Sequence, residues 1–291
     1  GSAGETKAFI DGMLVKNPFG SRLPDVANRS RFSAFLFKES TFSTGSYAAS
    51  YGQALSSALT LETKDLPNKT SSEFSVISLG GGGAHTQRFK NSALIVSADY
   101  YNFDLNNTLF RQNIEWNKNP RKYQAMINYK HKTSKTGMFK AIAEYSGTNL
   151  ALNLVNPNYQ SIDLLTNKNK NFYFNSTYRS FLTDNLSFFA GVSYNRTDES
   201  GDVNGQLYYQ DDNAWQQKLM LSSFIGSNLV LSAGAEQFQS KRDEGFGRLD
   251  RGYSDVLSAV FVDAELGLLK RLTLKVGLRG EHAKYIDKSN I

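Results

Sequence analysis

Four consecutive glycines, Gly80 to Gly83, are the first feature of this sequence that could do chemistry. Glycine-rich loops cradle phosphate groups when a Gly-Lys-Ser/Thr sequence and a helix follow them. Here Ala84 and His85 follow instead, and no helical periodicity begins after them. The pattern therefore favours a tight loop in which glycine permits positive φ, and we predict no phosphate site.

The histidines and the N-terminal carboxylates give no stronger chemical signal. His85, His131 and His282 are the only histidines, and the chain has no cysteine and no paired ligand spacing, so we predict neither a metal site nor a cofactor. Asp11 and Glu5 could form a carboxylate pair, but no nucleophile elbow or oxyanion-hole motif accompanies them. Carboxylates at strand ends usually form turns, and we predict that the chain is not an enzyme.

Seven charged side chains share the polar face of the predicted strands. In a barrel that face would look into the lumen, where the charges would be hydrated and could hydrogen-bond an internal domain. The alternative is the solvated face of any half-buried sheet, and the sequence leaves both open. The seven candidates are Lys140, Glu144, Arg179, Glu236, Lys275, Arg279 and Glu281.

The strands that must position these charges begin near Ser72, where a period of two sets in. The clearest example runs from residue 271 to residue 281, with one polar face and one apolar face made of Leu272, Leu274, Val276 and Leu278. Residues 186–195 alternate in the same way, except that Phe189 falls on the polar face. We predict about eleven such strands.

The connections between these strands alternate in length. Short turn signals occur at residues 90–91, 134–137, 183–185, 226–228 and 269–271. Longer polar segments, which we predict to be loops, lie between them at residues 104–119, 151–168, 198–212 and 240–252. In an up-and-down sheet all short turns then lie at one end and all long loops at the other, which is typical of outer-membrane barrels.

Composition narrows the class of protein further. The chain has 291 residues, of which 40% are hydrophobic, and no run of eighteen apolar residues, which excludes a transmembrane helix. A membrane strand needs only about ten residues with one apolar face. The net charge of +6 is spread over loops and alternating positions, so we predict no nucleic-acid partner. The chain starts Gly-Ser without a leader, and we expect an internal fragment of a longer, exported protein.

Residues 42–66, FSTGSYAASYGQALSSALTLETKDL, separate an irregular passage from the amphipathic strands. Gly45 and Gly52 mark turns, and the alternating run that follows predicts a strand. Together with the strand and turn Ala8-Phe-Ile-Asp-Gly12, this stretch resembles the C-terminal half of the plug domain of TonB-dependent outer-membrane receptors. It looks most like the receptors of Bacteroidetes-type bacteria, and the resemblance covers the chain from end to end.

The resemblance implies a mainly β fold with two parts. Residues 1–66 would be the C-terminal half of an α+β plug domain, and residues 67–291 the first half of an antiparallel transmembrane β-barrel, about eleven strands of twenty-two. It also implies a receptor in the outer membrane of a Gram-negative bacterium, which imports a scarce ligand such as a metal–siderophore chelate, a glycan or a peptide.

The same resemblance implies partners and ligand contacts. The partners would be a TonB-type energy-transducing protein, acting through a segment upstream of this fragment, the lipid of the outer membrane, and a small ligand. In the family, the plug loop after the Asp-Gly turn touches the ligand, which implies Asn17, Phe19 and Arg22 as contacts. The sequence departs from the family at Ser43-Thr44-Gly45, because many relatives carry an arginine before this glycine.

Two other classes of function remain open from the sequence. A passive porin or structural barrel would have no plug-like passage before its first strand. A soluble all-β binding module, such as a sandwich or propeller, would carry polar residues on the outward faces where Leu272 and Leu274 stand.

Overall fold

The structure, a computed structural model, describes residues 6–20, 30–33, 36–45, 47–54, 56–110, 114–155, 162–269, 272–285 and 288–290. Arg22, one of the predicted ligand contacts, and Glu5 lie outside these residues. The described residues form two β-sheets. We call them the small sheet and the wall sheet.

The small sheet contains four strands in the order β2-β1-β4-β3. They are β1 (Thr6–Ile10), β2 (Met13–Val15), β3 (Phe37–Ser43) and β4 (Ser57–Thr63). β1 pairs antiparallel with β2 and parallel with β4, which makes the sheet mixed. Asp11 and Gly12, with φ of 48° and 86°, form a two-residue hairpin turn that favours Asp-Gly because both positions need positive φ.

The wall sheet is a continuous antiparallel meander of twelve strands. They are β5 (Ser71–Ile77), β6 (Gly80–Arg88), β7 (Ser92–Asn102), β8 (Glu115–Lys132), β9 (Met138–Val155), β10 (Ile162–Thr183), β11 (Leu186–Val203), β12 (Gln206–Ile225), β13 (Leu229–Phe246), β14 (Leu249–Leu269), β15 (Leu272–Ala283) and β16 (Lys288–Asn290). One short helix, α1 (Asp104–Leu109), separates β7 from β8. The predicted fold class, mainly β with part of a plug before an antiparallel barrel wall, is confirmed. The division at residues 66 and 67 stays a prediction.

Among the described residues, no helix is both long enough and apolar enough to cross a membrane.

The wall sheet has one apolar and one polar face, as the period of two predicts. On the outward face, Leu274, Val276 and Leu278 are each about half exposed or more. The opposite face packs against the small sheet and buries polar residues such as Asn128 and Glu144, both 0% exposed. An exposed apolar face and a buried polar one invert the usual soluble arrangement.

Phe189, the apolar exception on the polar face of β11, is explained by the turn it covers. Its ring is 4% exposed, and a Cβ added to Gly12 would lie 3.3 Å from its Cζ atom. The guanidinium of Arg179 also lies over the Phe189 ring, with its carbon atom 5.5 Å from the ring centroid. The phenyl ring therefore seals the β1–β2 turn against the wall.

Four of the five predicted short turns are confirmed, and residues 270 and 271 of the fifth lie outside the described residues. Of the four predicted long loops, those at residues 198–212 and 240–252 are wrong, because strands occupy them except at short turns. Two-residue turns, Asn204-Gly205 and Gly247-Arg248, connect β11 to β12 and β13 to β14. β8 and β9 likewise extend into segments predicted to be loops, and β10 reaches 22 residues. Past the apolar band both faces of a strand are hydrated, so polar composition does not distinguish strand from loop. The Asn204-Gly205 pair in the sequence is a known signal for a two-residue hairpin turn, and it could have predicted the turn between β11 and β12.

The prediction of a tight loop at residues 80–83 is also wrong, because these glycines lie in β6. Only Gly80, with φ of 149°, has positive φ among these four. A Cβ there would lie 2.1 Å from the carbonyl oxygen of Tyr100. At this position glycine therefore allows a close approach between β6 and β7.

Candidate functional site

The interface between the small sheet and the wall sheet is the candidate functional site. Two small apolar clusters cross it. In one, Ile10 and Phe32 pack on Ile142 and Tyr173. In the other, Phe9 and Leu14 pack with Phe238 among others. The remaining contacts described below are polar, and they come from seven consecutive wall strands, β9 to β15.

A ladder of amide side chains binds the free edge of the small sheet. β2 is the edge strand, so the N–H and C=O groups of Leu14 lack a strand partner on one side. The Leu14 N–H donates to Gln216 Oε1 at 2.7 Å, and Asn195 Nδ2 donates to the Leu14 carbonyl at 3.3 Å. Asn175 Nδ2 donates to the carbonyl of Ile10 at 2.8 Å. Two wall strands, β11 and β12, therefore replace a missing neighbouring strand, and Asn175 of β10 binds the end of β1.

A backbone clamp holds Ala49 and Ser50, which lie between β3 and β4. The carboxylate of Asp263 accepts hydrogen bonds from both N–H groups, at 2.6 and 3.1 Å. Arg279 Nη1 donates to the Ala49 carbonyl at 3.1 Å, and Lys218 Nζ donates to the Ser50 carbonyl. All four backbone polar groups of two residues are thus bound by three charged side chains. Charge-assisted hydrogen bonds of this kind are about twice as strong as neutral ones.

Glu236 and Glu281 support the cations of the clamp. Glu236 accepts a hydrogen bond from Arg279 and lies 3.9 Å from Lys218 Nζ, and its side chain is 5% exposed. Arg279 Nε donates to Glu281 Oε1 at 2.5 Å. These carboxylates balance the two buried positive charges and fix the direction of the Arg279 side chain.

A second group of charges binds the small sheet near β8 and β9. Arg31 pairs with Glu144, and both side chains are almost fully buried. Lys140 Nζ donates to the Thr63 carbonyl at 2.9 Å and lies 3.5 Å from the Asp11 carboxylate. That carboxylate also accepts from Thr63 Oγ1 at 2.7 Å, which gives Asp11 a turn-stabilising role.

Two of the seven predicted charges lie apart from these groups. Arg179 is 56% exposed at its side chain and lies 3.8 Å from Glu62. Lys275 is 49% exposed and pairs with Glu265 at 3.0 Å. Exposed pairs of this kind contribute little to stability, so neither residue is central to the interface.

Asn17 lies directly after the small sheet's edge strand. Its Nδ2 donates to Thr197 Oγ1 at 2.9 Å, and its backbone, at φ of 48°, accepts from Arg31 Nη1 at 3.2 Å. Phe19 follows with 42% of its surface exposed. The two residues thus occupy one loop, with the Asn17 amide bound to the wall and the Phe19 ring partly exposed.

A partly buried lysine, Lys16, carries the positive charge at the start of this loop. Lys16 Nζ donates to Asp212 Oδ1 at 2.5 Å, and Asp212 also accepts from Arg242 Nη2 at 2.6 Å. Burial lowers the pKa of Lys16, and the neighbouring Asp212 carboxylate opposes this only in part. Lys16 is therefore a cation held at a cost in desolvation.

Sequence reasoning missed several residues of this interface: Asn175, Asn195, Gln216, Asp212, Lys218 and Asp263. A signal was present in β10, where Asn167, Asn169, Asn171 and Asn175 recur on one face. Uncharged amides on a strand face look like solvated positions in a sequence. Only the packing of the small sheet against the wall shows that Asn175, Asn195 and Gln216 bind backbone.

No protein-family model matches the sequence, and no curated protein does. Solved structures match over almost the whole chain. A mutant ferric enterobactin receptor of Pseudomonas aeruginosa in complex with enterobactin is 16% identical, with a TM-score of 0.63 over 99% of this chain and 51% of that one. The siderophore receptor PiuA of Acinetobacter baumannii is 15% identical, with a TM-score of 0.65 over 96% and 50%.

The alcaligin outer-membrane receptor of Bordetella pertussis is 11% identical, with a TM-score of 0.66 over 97% of this chain and 48% of that one. The chain therefore spans about half the length of the solved structures it matches. At these identities the likeness concerns the fold. This chain, with its two sheets, has the fold of the TonB-dependent outer-membrane receptors over about half of their length.

Proposed function

We propose that this chain is part of an outer-membrane receptor that imports a scarce ligand with energy supplied by a TonB-type protein. The observation that carries this proposal is the polar interface between the small sheet and the wall sheet. An interface of hydrogen bonds and ion pairs can exchange its partners with water when the small sheet shifts. A large apolar interface would instead behave as one fused core.

The outward face of the wall supports a membrane location. Leucine and valine side chains of β14 and β15 are exposed there, and lipid would cover them. Solved structures with this fold are named as outer-membrane or siderophore receptors, which supports the outer membrane of a Gram-negative bacterium as the site of action.

For the ligand, we propose contacts from the loop that follows the small sheet's edge strand. Asn17, Phe19 and Arg22 are the candidate residues. The half-exposed ring of Phe19 beside a fixed amide suits a ligand with an apolar or aromatic surface and hydrogen-bonding groups. Siderophore chelates, glycans and peptides all remain candidates for this class of ligand.

The test is the ionic conductance of the full-length protein in a planar lipid bilayer. A plugged receptor predicts no steady conductance, whereas deletion of residues 6–66 should open a large pore in the same protein. Steady conductance with the small sheet in place would favour a passive porin instead. Recovery of the full-length protein in the soluble fraction without detergent would overturn the membrane location.

A further inference from the structure

Three wall strands repeat the same pair of residues on their outward face. Each strand carries an aromatic residue and a cation two positions away from it. The pairs are Tyr123 with Arg121 in β8, Phe172 with Lys170 in β10, and Tyr194 with Arg196 in β11. Side chains two positions apart in a strand point to the same side. The three pairs therefore share the outward face.

The direction of these pairs is also the same. β8 and β10 run toward the short turns at residues 133–137 and 184–185, and β11 runs away from the second of them. In all three strands the cation lies on the far side of the aromatic residue, toward the ends where the strands are polar and extended. Each cation therefore lies beyond its own aromatic residue, and the pairs are staggered from strand to strand, since Phe172 pairs with Arg196 across β10 and β11.

Neighbouring rings form two groups on this face. The rings of Tyr123 and Tyr145 lie 6.0 Å apart between centroids, those of Phe172 and Tyr194 lie 6.1 Å apart, and those of Tyr194 and Trp215 lie 4.6 Å apart. Aromatic belts of this kind sit at the boundary between lipid tails and headgroups. The cations above it would then stand at the level of the headgroups.

These cations differ in their partners. Arg121 pairs with Asp104 at 3.1 Å, and Arg196 pairs with Asp198 at 3.0 Å. Lys170 and Lys168 lie between these two pairs on the same face of β10, both exposed, and neither has an ion pair within the described part of the chain. Opposite Lys170 and Lys168 on β9 stand Gly147 and Asn149, which carry no charge. Opposite them on β11 stand Asp198, whose carboxylate pairs with Arg196, and Ser200.

We propose that Lys168 and Lys170 bind the phosphate groups of an anionic lipid in the outer leaflet of the membrane. Ammonium groups bind phosphate as point charges, and Asn149 and Ser200, which pair with Lys168 across the neighbouring strands, add hydrogen-bond donors. The aromatic row beneath would pack against the acyl chains of the same lipid. This inference rests on the proposed membrane location.

The test measures binding of diphosphoryl lipid A to the full-length protein in detergent, by equilibrium titration. Two surface cations near a membrane contribute enough that Lys168→Gln/Lys170→Gln should weaken binding roughly 30-fold. The control Lys132→Gln/Lys135→Gln removes two cations at the opposite end of the wall and should change binding by less than about twofold. Lys168→Arg/Lys170→Arg keeps the charge and should keep most of the affinity.

Lipid A stripped of both phosphates should bind the wild type and the glutamine variant with equal, weak affinity, and millimolar inorganic phosphate should not displace the diphosphoryl lipid. Equal affinity of the wild type and the glutamine variant for diphosphoryl lipid A would overturn the proposal. Displacement by inorganic phosphate alone would show a free-phosphate site and would overturn it too. Heat-modifiable gel migration of each variant reports separately whether the barrel is folded and membrane-bound.

Discussion

Single residues decide how the small sheet is bound, and the Arg31–Glu144 pair is the most deeply buried of these contacts. The two side chains are 3% and 0% exposed. Removing one partner of a buried pair leaves the other charge in a site without water, which costs more than the pair itself contributes. The pair therefore fixes where Arg31 sits more than it stabilises the protein.

Glu144→Gln should destabilise the protein by about 3–5 kcal/mol, because it leaves the Arg31 charge buried and unpaired. The double variant Arg31→Gln/Glu144→Gln should lose less than the sum of the two single variants. Urea titrations of the three variants in detergent provide this double-mutant cycle. Additive losses would show that the two side chains do not interact. Lys241→Gln, in an exposed pair with Asp243, is the control and should leave the stability almost unchanged.

Asp65, which follows β4, makes the free energy of unfolding depend on pH in a direction that its pKa determines. Burial opposes its ionisation, but hydrogen bonding to Lys38 and the charge of Lys140 outweigh this and lower the pKa of Asp65 below its ordinary 3.8. Ionised Asp65 therefore contributes stability above about pH 4, and this is lost as the pH falls through the lower folded-state pKa. Between about pH 5 and pH 2, wild type should lose more stability than Asp65→Asn. Parallel unfolding curves against pH would contradict this.

Among the elements, the β1–β2 hairpin brings the most wall contacts to one short segment. Its turn is covered by Phe189, and its edge strand is bound by the amide ladder. The turn works only with positive φ at two successive positions, which the Asp11-Gly12 pair accepts at little cost.

Gly12→Ala should destabilise the protein by about 1–2 kcal/mol, because the left-handed conformation strains a residue that carries a Cβ. The added methyl group would also press on Phe189. Gly45→Ala is the matched control, since no atom of the described residues beyond its chain neighbours lies within 4 Å of its Cβ position, and it should change stability by less than about 0.5 kcal/mol. Thermal unfolding of both variants compares them directly, and an equal cost would show that the turn does not require glycine.

β15 tests the assignment of the two faces of the wall. Leu274→Arg places a cation on the outward face and should cost about 2–4 kcal/mol in a lipid environment. The neighbouring change Lys275→Gln, on the other face and in an exposed pair, should cost little. Folding titrations into lipid vesicles measure both, and equal effects would show that the outward face does not meet lipid.

At the scale of the whole molecule, the extended hairpins give the wall two different ends. Cysteine at Arg248, in the turn between β13 and β14, should react with a membrane-impermeant maleimide on intact cells that express the full-length protein. Cysteine at Ser227, in the turn between β12 and β13, should react only after the cells are opened. The reverse pattern would invert the orientation of the wall.

The sequence by itself determined the two faces of the wall, four short turns among the described residues and the Asp-Gly turn, because each depends on neighbours in the chain or on a period of two. Only the tertiary structure decided which polar residues matter. The clamp joins Ala49 to Asp263 and Arg279, more than two hundred positions away. Strand length was likewise decided by cross-strand pairing, since polar residues beyond the apolar band fit strand and loop equally well. Phe189, an apparent exception in the sequence, became intelligible once the β1–β2 turn was seen beneath it.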